Sequence, residues 1–405
     1  MAFNKALNKY LNKAKKMGQS IKQILKQIDR VIDSSKIPDH DSALTGKAGL
    51  ALYQFYSGKI LNDKSKLKKG GKLLNSIYSR LPDGNKTLTD HSLASGISGL
   101  CLALSILSED GCIDFDIEQN VSNYDDYLIS KSRDELANKK VDFLNQSLGV
   151  VYYFTTRMLT DKTKVVLENY VDDIISASIQ DETGARFLNS SGPITGNIYD
   201  MSTAYGLSGI LMILLKIYDL GIKQEEIKSF VLEGVKYILK FYIAKPNPNK
   251  EQSMFALGVD KNGEDAQYSN MLAWCYGDMN QLALLITVAN TFQMDEWDRI
   301  IKNVTRSLCT RTFEESLVRD SHFSHGASGV AYLFQYLYDI SGNEKFLTAK
   351  NTWLDTTMAQ LSKDLKENIY KNKETQFLEG LVGVGFVLLS EISPERLAWS
   401  KLLLM

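Results

Sequence analysis

Four cysteines, six prolines and four histidines in 405 residues exclude several protein classes at the outset. The cysteines, Cys101, Cys112, Cys275 and Cys309, are widely scattered and make no disulfide framework. Scarce proline suits a helical chain, because an interior proline removes a backbone hydrogen bond and clashes with the preceding turn. No apolar run approaches the ~20 residues of a membrane span, so no integral membrane segment is expected. A formal net charge of -1 supplies no global field for nucleic acid or a membrane surface. Lys5, Lys9, Lys13, Lys15 and Lys16 crowd the N-terminal stretch, but no apolar core follows them, so it does not read as a signal peptide. A reduced, cytoplasmic setting is the expectation. The alternation of a half-exposed strand is also missing.

What is present is a two-glycine signature that recurs seven times. Five copies are complete: Gly46-Lys47-Ala48-Gly49, Gly96-Ile97-Ser98-Gly99, Gly206-Leu207-Ser208-Gly209, Gly326-Ala327-Ser328-Gly329 and Gly380-Leu381-Val382-Gly383. Gln146-Ser147-Leu148-Gly149 lacks the first glycine, and Gly277-Asp278-Met279-Asn280 the second. The spacing of roughly 50 to 70 residues accommodates two helices and their loops. Apolar stretches such as Leu100-Cys101-Leu102-Ala103-Leu104 and Ile210-Leu211-Met212-Ile213 follow the glycines and read as buried helices. More amphipathic segments, such as 223–239, lie between them. The pattern predicts an all-α fold: seven helical hairpins closed into one α/α toroid over residues 1–405. Within it, 1–40 reads as an amphipathic helical region docked on the body, and 108–139 as a polar, acidic surface insertion.

In such a ring every inner helix starts at the same end, so the residues before the glycines converge at one mouth. Helix N-termini gathered there favour an anionic or electron-rich ligand. Trp274-Cys275-Tyr276-Gly277, Phe323-Ser324-His325-Gly326, Tyr205-Gly206 and Asp142 are the notable residues of this set. A cysteine thiolate and a neutral imidazole, Cys275 and His325 on adjacent hairpins, are natural zinc ligands. Two facing carboxylates, as glycoside hydrolysis requires, are poorly served: only Asp142 and Glu379 lie just before the signatures.

Trp-Cys-Tyr-Gly, followed one repeat later by His-Gly-Ala-Ser-Gly, resembles the lanthionine synthetase C-like family across essentially all seven repeats. The resemblance implies an α/α toroid with a central zinc ion. That zinc activates a cysteine thiol of a precursor peptide for addition to a dehydrated serine or threonine, closing a thioether ring. It implies Cys275, His325 and the position of Ser324 as metal ligands, and Asp142 and Tyr205 as catalytic positions. Trp274 falls at a substrate-facing position, and a dehydratase is an implied partner. The chain departs from the pattern where Ser324 replaces a cysteine, Tyr205 a histidine, and Met271 an arginine. A serine hydroxyl is a hard ligand beside a thiolate. His322 is a candidate substitute ligand, with a solvent-facing loop histidine as the alternative. Tyr205 can serve as a general acid or plug the mouth, and Asp142 can orient a catalytic group or cap the third inner helix. Two readings stay open: a thioether-forming enzyme with an altered zinc site, and an impaired relative that keeps the toroid as a peptide-binding scaffold.

Overall fold

Apolar and amphipathic helices alternate along the chain in the computed structural model, which describes residues 2–80, 87–88, 90–189, 192, 198–247 and 252–405, with side chains from residue 17 onward. Helix α1 (Ala2–Ser34) precedes α2 (Lys47–Leu61), α3 (Lys64–Tyr78), α4 (Ile97–Glu109), the short α5 (Ile117–Val121) and α6 (Asp125–Ala137). Then come α7 (Ser147–Thr155), α8 (Asp161–Ala177), α9 (Leu207–Asp219) and α10 (Gln224–Lys240). The chain continues through α11 (Asp278–Phe292), α12 (Asp298–Thr310), α13 (Ala327–Ser341), α14 (Glu344–Glu367) and α15 (Leu381–Ile392).

The helices that follow the glycine signatures are α2, α4, α7, α9, α11, α13 and α15. Each touches the next, and α15 touches α2, so the ring closes as the repeat predicts. Six outer helices follow their inner partners in the chain; the seventh is α1, which packs on α15 from the other end of the sequence. Its apolar stripe makes this possible: Ile21, Leu25, Ile28 and Ile32 are all buried. A polar lock adds direction, since Asp29 accepts from the Tyr53 hydroxyl at 2.8 Å and pairs with Lys66 at 2.6 Å.

The glycines act through close approach. At Gly99 a Cβ would lie 1.9 Å from the Leu93 carbonyl oxygen, so the second glycine lets the helix start pass against its own incoming loop. The first position is extended at six junctions, with φ between -106° and -132°, a backbone any residue adopts, so the glycines there also act through close approach: a Cβ would lie 2.0 to 2.5 Å from the incoming loop at Gly46, Gly96, Gly206, Gly326 and Gly380. Gly277 alone among the seven takes φ +103°, a conformation that favours glycine.

The stretch read as an insertion, 108–139, differs from that expectation: it supplies α6, the outer helix that follows α4 in the chain and packs against α7 and α8. Arg157 at the end of α7 clamps it, bonding Glu118 at 2.5 and 2.8 Å and Asp125 and the Tyr153 hydroxyl at 2.8 and 2.7 Å. Short strands are present too: β1 (Ile179–Asp181) with β2 (Gly184–Arg186), and β3 (Ile198–Asp200) with β4 (Gly258–Asp260) and β5 (Ala266–Gln267). At two or three residues each, they are too short to leave an alternating pattern. The second sheet ties the long connection after α10 to the fourth junction, accounting for the longest repeat.

After α15 the chain turns back into the ring as a 3₁₀ segment, Ala398–Leu403. Lys401 pairs with Glu109 at the end of α4, so the segment enters from the side away from the mouth. Trp399 is fully buried, stacks on Phe386 with centroids 5.3 Å apart and meets Phe323, Tyr332 and Phe377. Aromatic rings and this returning segment fill the axis beneath the mouth.

Candidate active site at the ring mouth

Six backbone hydrogen bonds join the seven loops that enter the inner helices, in ring order. Phe377 N–H donates to Leu44 C=O, Ser324 to Leu378, Trp274 to Ser324, Thr203 to Cys275, Phe143 to Ala204 and Ala94 to Leu144, over 2.8 to 3.1 Å. Equivalent loop positions therefore become rings of residues around one mouth. Immediately before the first glycine stand Thr45, Ser95, Asn145, Tyr205, Tyr276, His325 and Glu379. One residue earlier stand Leu44, Ala94, Leu144, Ala204, Cys275, Ser324 and Leu378. Cys275 and Ser324 are neighbours in the second ring, and His325 follows at the same junction. The convergence expected from the sequence is present.

The loops share a cap. The side chain four residues before the glycine position accepts the N–H three residues on: Ser92 from Ser95 (3.3 Å), Asp142 from Asn145 (2.5 Å), Ser202 from Tyr205 (3.0 Å) and His322 Nδ1 from His325 (3.4 Å). Asp142 is thus fully buried as the third loop's version of a repeated turn. His322 is not the solvent-facing histidine of the alternative reading. It is half-buried, with Nε2 3.4 Å from Asp320 and its ring 5.1 Å from that of His325. His40 and His91 make loop contacts, to Ser42 and Glu135.

Cys275 is buried, and burial pushes its thiol up to about 12, so on protein groups alone it stays protonated at neutral pH. His325 is held below the usual histidine range by burial, and its Nε2 lies 3.0 Å from Ser324 Oγ. Glu379, beside it in the ring, is held low by Lys373. Tyr205 stacks on Tyr276 with centroids 6.2 Å apart, and its phenol is pushed up to about 12 by burial, then by Cys275, Asp142, Asp200 and Glu379. Tyr276 donates to Asp200 Oδ2 at 2.7 Å; burial raises Asp200. The loops of the mouth therefore carry a neutral imidazole, a protonated phenol and a protonated thiol.

Trp274 differs from its expected substrate-facing role. Its indole is buried and donates to the Leu403 carbonyl at 3.1 Å, tying the Cys275 loop to the segment inside the ring. Asp200 and Lys373 are not expected at the site from the sequence, and Tyr276 and Glu379 are named there without a role; Tyr276 bonds Asp200, and Glu379 pairs with Lys373. A signal existed for one of them: Asp-x-Ser recurs as Asp90-His91-Ser92 and Asp200-Met201-Ser202, each aspartate accepting the serine N–H.

The donor set falls short of a three-ligand zinc site. Among the described residues no three His, Cys, Asp or Glu side chains converge as metal ligands. Cys275 and His325 supply two suitable donors; the third by position, Ser324, is a hard hydroxyl hydrogen-bonded to His325. No described helix is long and apolar enough to cross a membrane.

Comparison with known proteins agrees with the ring. The sequence matches the family described as lanthionine synthetase C-like protein over residues 37–404. Among solved structures the fold is similar to that of nisin cyclase, with a TM-score of 0.72 at 18% identity, covering 96% of this chain and 98% of that one.

Proposed function

The chain belongs to the lanthionine synthetase C-like family, and from that premise we propose that it acts in the maturation of a ribosomal peptide, adding a peptide cysteine thiol to a dehydroamino acid to close a thioether ring. The observation that carries this reading is the gathering of Cys275, Ser324, His325 and Tyr205 at one mouth, joined loop to loop by the backbone bonds Trp274–Ser324 and Thr203–Cys275. In the reaction the substrate S–H loses its proton, sulfur bonds to the β-carbon of the dehydroamino acid, and the resulting enolate takes a proton at the α-carbon. A neutral imidazole is in the state that accepts the first proton, and a protonated phenol in the state that supplies the second. No step is assigned to zinc, because Ser324 leaves its site one suitable donor short. The partners in this reading are the precursor peptide and the enzyme that dehydrates it, in the cytoplasm.

A second reading, a peptide-binding scaffold without ring chemistry, is favoured by that same serine: with no cation beside it, Cys275 remains a buried thiol. One experiment separates the two. Metal content is measured on wild type, Cys275→Ala and Ser324→Cys, alongside thiol addition to a dehydroalanine peptide. Thiol addition by wild type, lost in a His325→Ala variant, supports the enzyme; none under any metal loading supports the scaffold. Ser324→Cys is expected to raise zinc affinity by about 10- to 100-fold, and Cys275→Ala to remove any zinc that wild type holds.

A further inference from the structure

Between α12 and the chain that leaves α10 runs an outer groove of about 870 Å³. Its floor is apolar and fixed: Tyr242 and Ile300 line it, and Asn303 donates to the Tyr242 hydroxyl and the Ala244 carbonyl, both at 2.9 Å. Its rim is cationic. Arg299, Lys302 and Arg306, at helical spacing on one face of α12, stand with Lys245 across the groove. Asp298 is the carboxylate that lines the groove, and it pairs with Lys302 at 2.8 Å. Arg299, Arg306 and Lys245 are exposed and make no ion pair within 4.0 Å among the described residues. On a chain whose net charge is -1 this positive charge is local to the groove rim and is not part of a global field.

We propose that this groove is a docking site for an acidic, partly apolar segment of the peptide substrate, apart from the residues that react. The choice of a peptide rests on the reading above; the charge and the apolar floor are independent of it. Carboxylates on the occupant meet the rim, and alternate apolar side chains meet Tyr242 and Ile300. The location suits the role. Helices α10 and α12 are the outer partners of α9 and α11, the helices that Tyr205 and Cys275 precede. A peptide held on this wall lies on the same two hairpins as two of the mouth's seven junctions, those of Tyr205 and Cys275. The groove is short and lies on a chain without a positive field, which disfavours a nucleic-acid backbone.

The test uses the full chain and a fluorescein-labelled 12-residue peptide of alternating Glu and Leu, with the Gln-for-Glu peptide as its control. Anisotropy should show the Glu peptide binding about tenfold more tightly than the control, with the preference weakening as salt rises. Arg299→Gln/Arg306→Gln should lose about that factor, while thiol addition to a short neutral dehydroalanine peptide stays at the wild-type level. Equal binding of the two peptides, or unchanged affinity in the variant, overturns the proposal. So does tighter binding of a duplex DNA of equal charge, which would make the groove a nucleic-acid surface. Because the binding readout needs no turnover, failure of the ring chemistry leaves it interpretable.

Discussion

The rim of the toroid divides into two unequal arcs. Junctions one to three present Thr45, Ser95 and Asn145, small polar side chains; junctions four to seven present Tyr205, Tyr276, His325 and Glu379. Backbone and capping run through both arcs alike: the bond from Phe143 to Ala204 crosses from one to the other, and Ser92, Asp142, Ser202 and His322 hold the same turn. Closing the ring and presenting reactive side chains thus fall to different loop positions. At least one glycine of the pair stands at every junction and the cap recurs at four of them, on both arcs, while the one or two residues just before the glycine position diverge.

Removing what both arcs share should have the largest effect. Trp399 sits under the mouth, and its segment reaches α4 through Lys401 and the Cys275 loop through Leu403 and Trp274. Trp399→Ala should cost about 3–5 kcal/mol in denaturant unfolding, through lost burial and a cavity. A thiol reagent should then label Cys275 faster than in wild type. If labelling does not change, the axial segment supports the ring without positioning the working arc.

Alkaline titration compares the arcs directly. Cys101, on α4 in the quiet arc, and Cys275 are both pushed up to about 12, chiefly by burial. Their folded values lie above the ordinary value of 9.0, so the native state holds protons that the unfolded chain releases. Stability should therefore fall as pH rises from about 9 toward 12, and Cys101→Ala and Cys275→Ala should each flatten that slope. Reaction of Cys275 near pH 8 with Cys101 silent would reveal a cation at the mouth and restore the metal reading.

Copying the quiet arc into the working one comes next. Tyr205→Ser gives junction four the residue of junction two. Losing the stack on Tyr276 should cost about 1 kcal/mol. The turn should survive, because Ser202 accepts the backbone N–H of residue 205 whatever its side chain. Thiol addition should fall by about 100-fold or more if the phenol supplies the proton. Unchanged turnover would return Tyr205 to the role of a plug.

Most of the ring was legible in the sequence because its determinants are local and repeated: a glycine pair, an apolar helix, a fixed period. The seven-fold closure needed only that period. Less legible was what depends on contacts far apart in the chain. Nothing near Trp274 signals that its indole meets Leu403, 129 residues on, so an aromatic beside a cysteine read as a substrate contact. The segment 108–139 read as an insertion because its polarity hides the stripe of Leu128, Ser132 and Leu136 that α6 buries. His322 stayed open between a substitute ligand and a solvent-facing residue because its cap, a side-chain bond to the backbone of His325, is visible only when the four capped loops are compared.

That comparison makes Asp142 the finest test of the two arcs. As a catalytic group it would belong to the working arc; as a cap it belongs with Ser92 and Ser202 and does for junction three what they do for theirs. Asp142→Ala removes the acceptor for the Asn145 N–H and should cost about 1 kcal/mol, as loss of a helix or turn cap does. Asp142→Asn keeps an acceptor oxygen and should restore most of that loss. The same pair separates the roles. A cap predicts that thiol addition follows stability, down for Ala and near wild type for Asn. A catalytic carboxylate predicts that Asn is as inactive as Ala while folding like wild type, because an amide can hold the turn but cannot carry the charge.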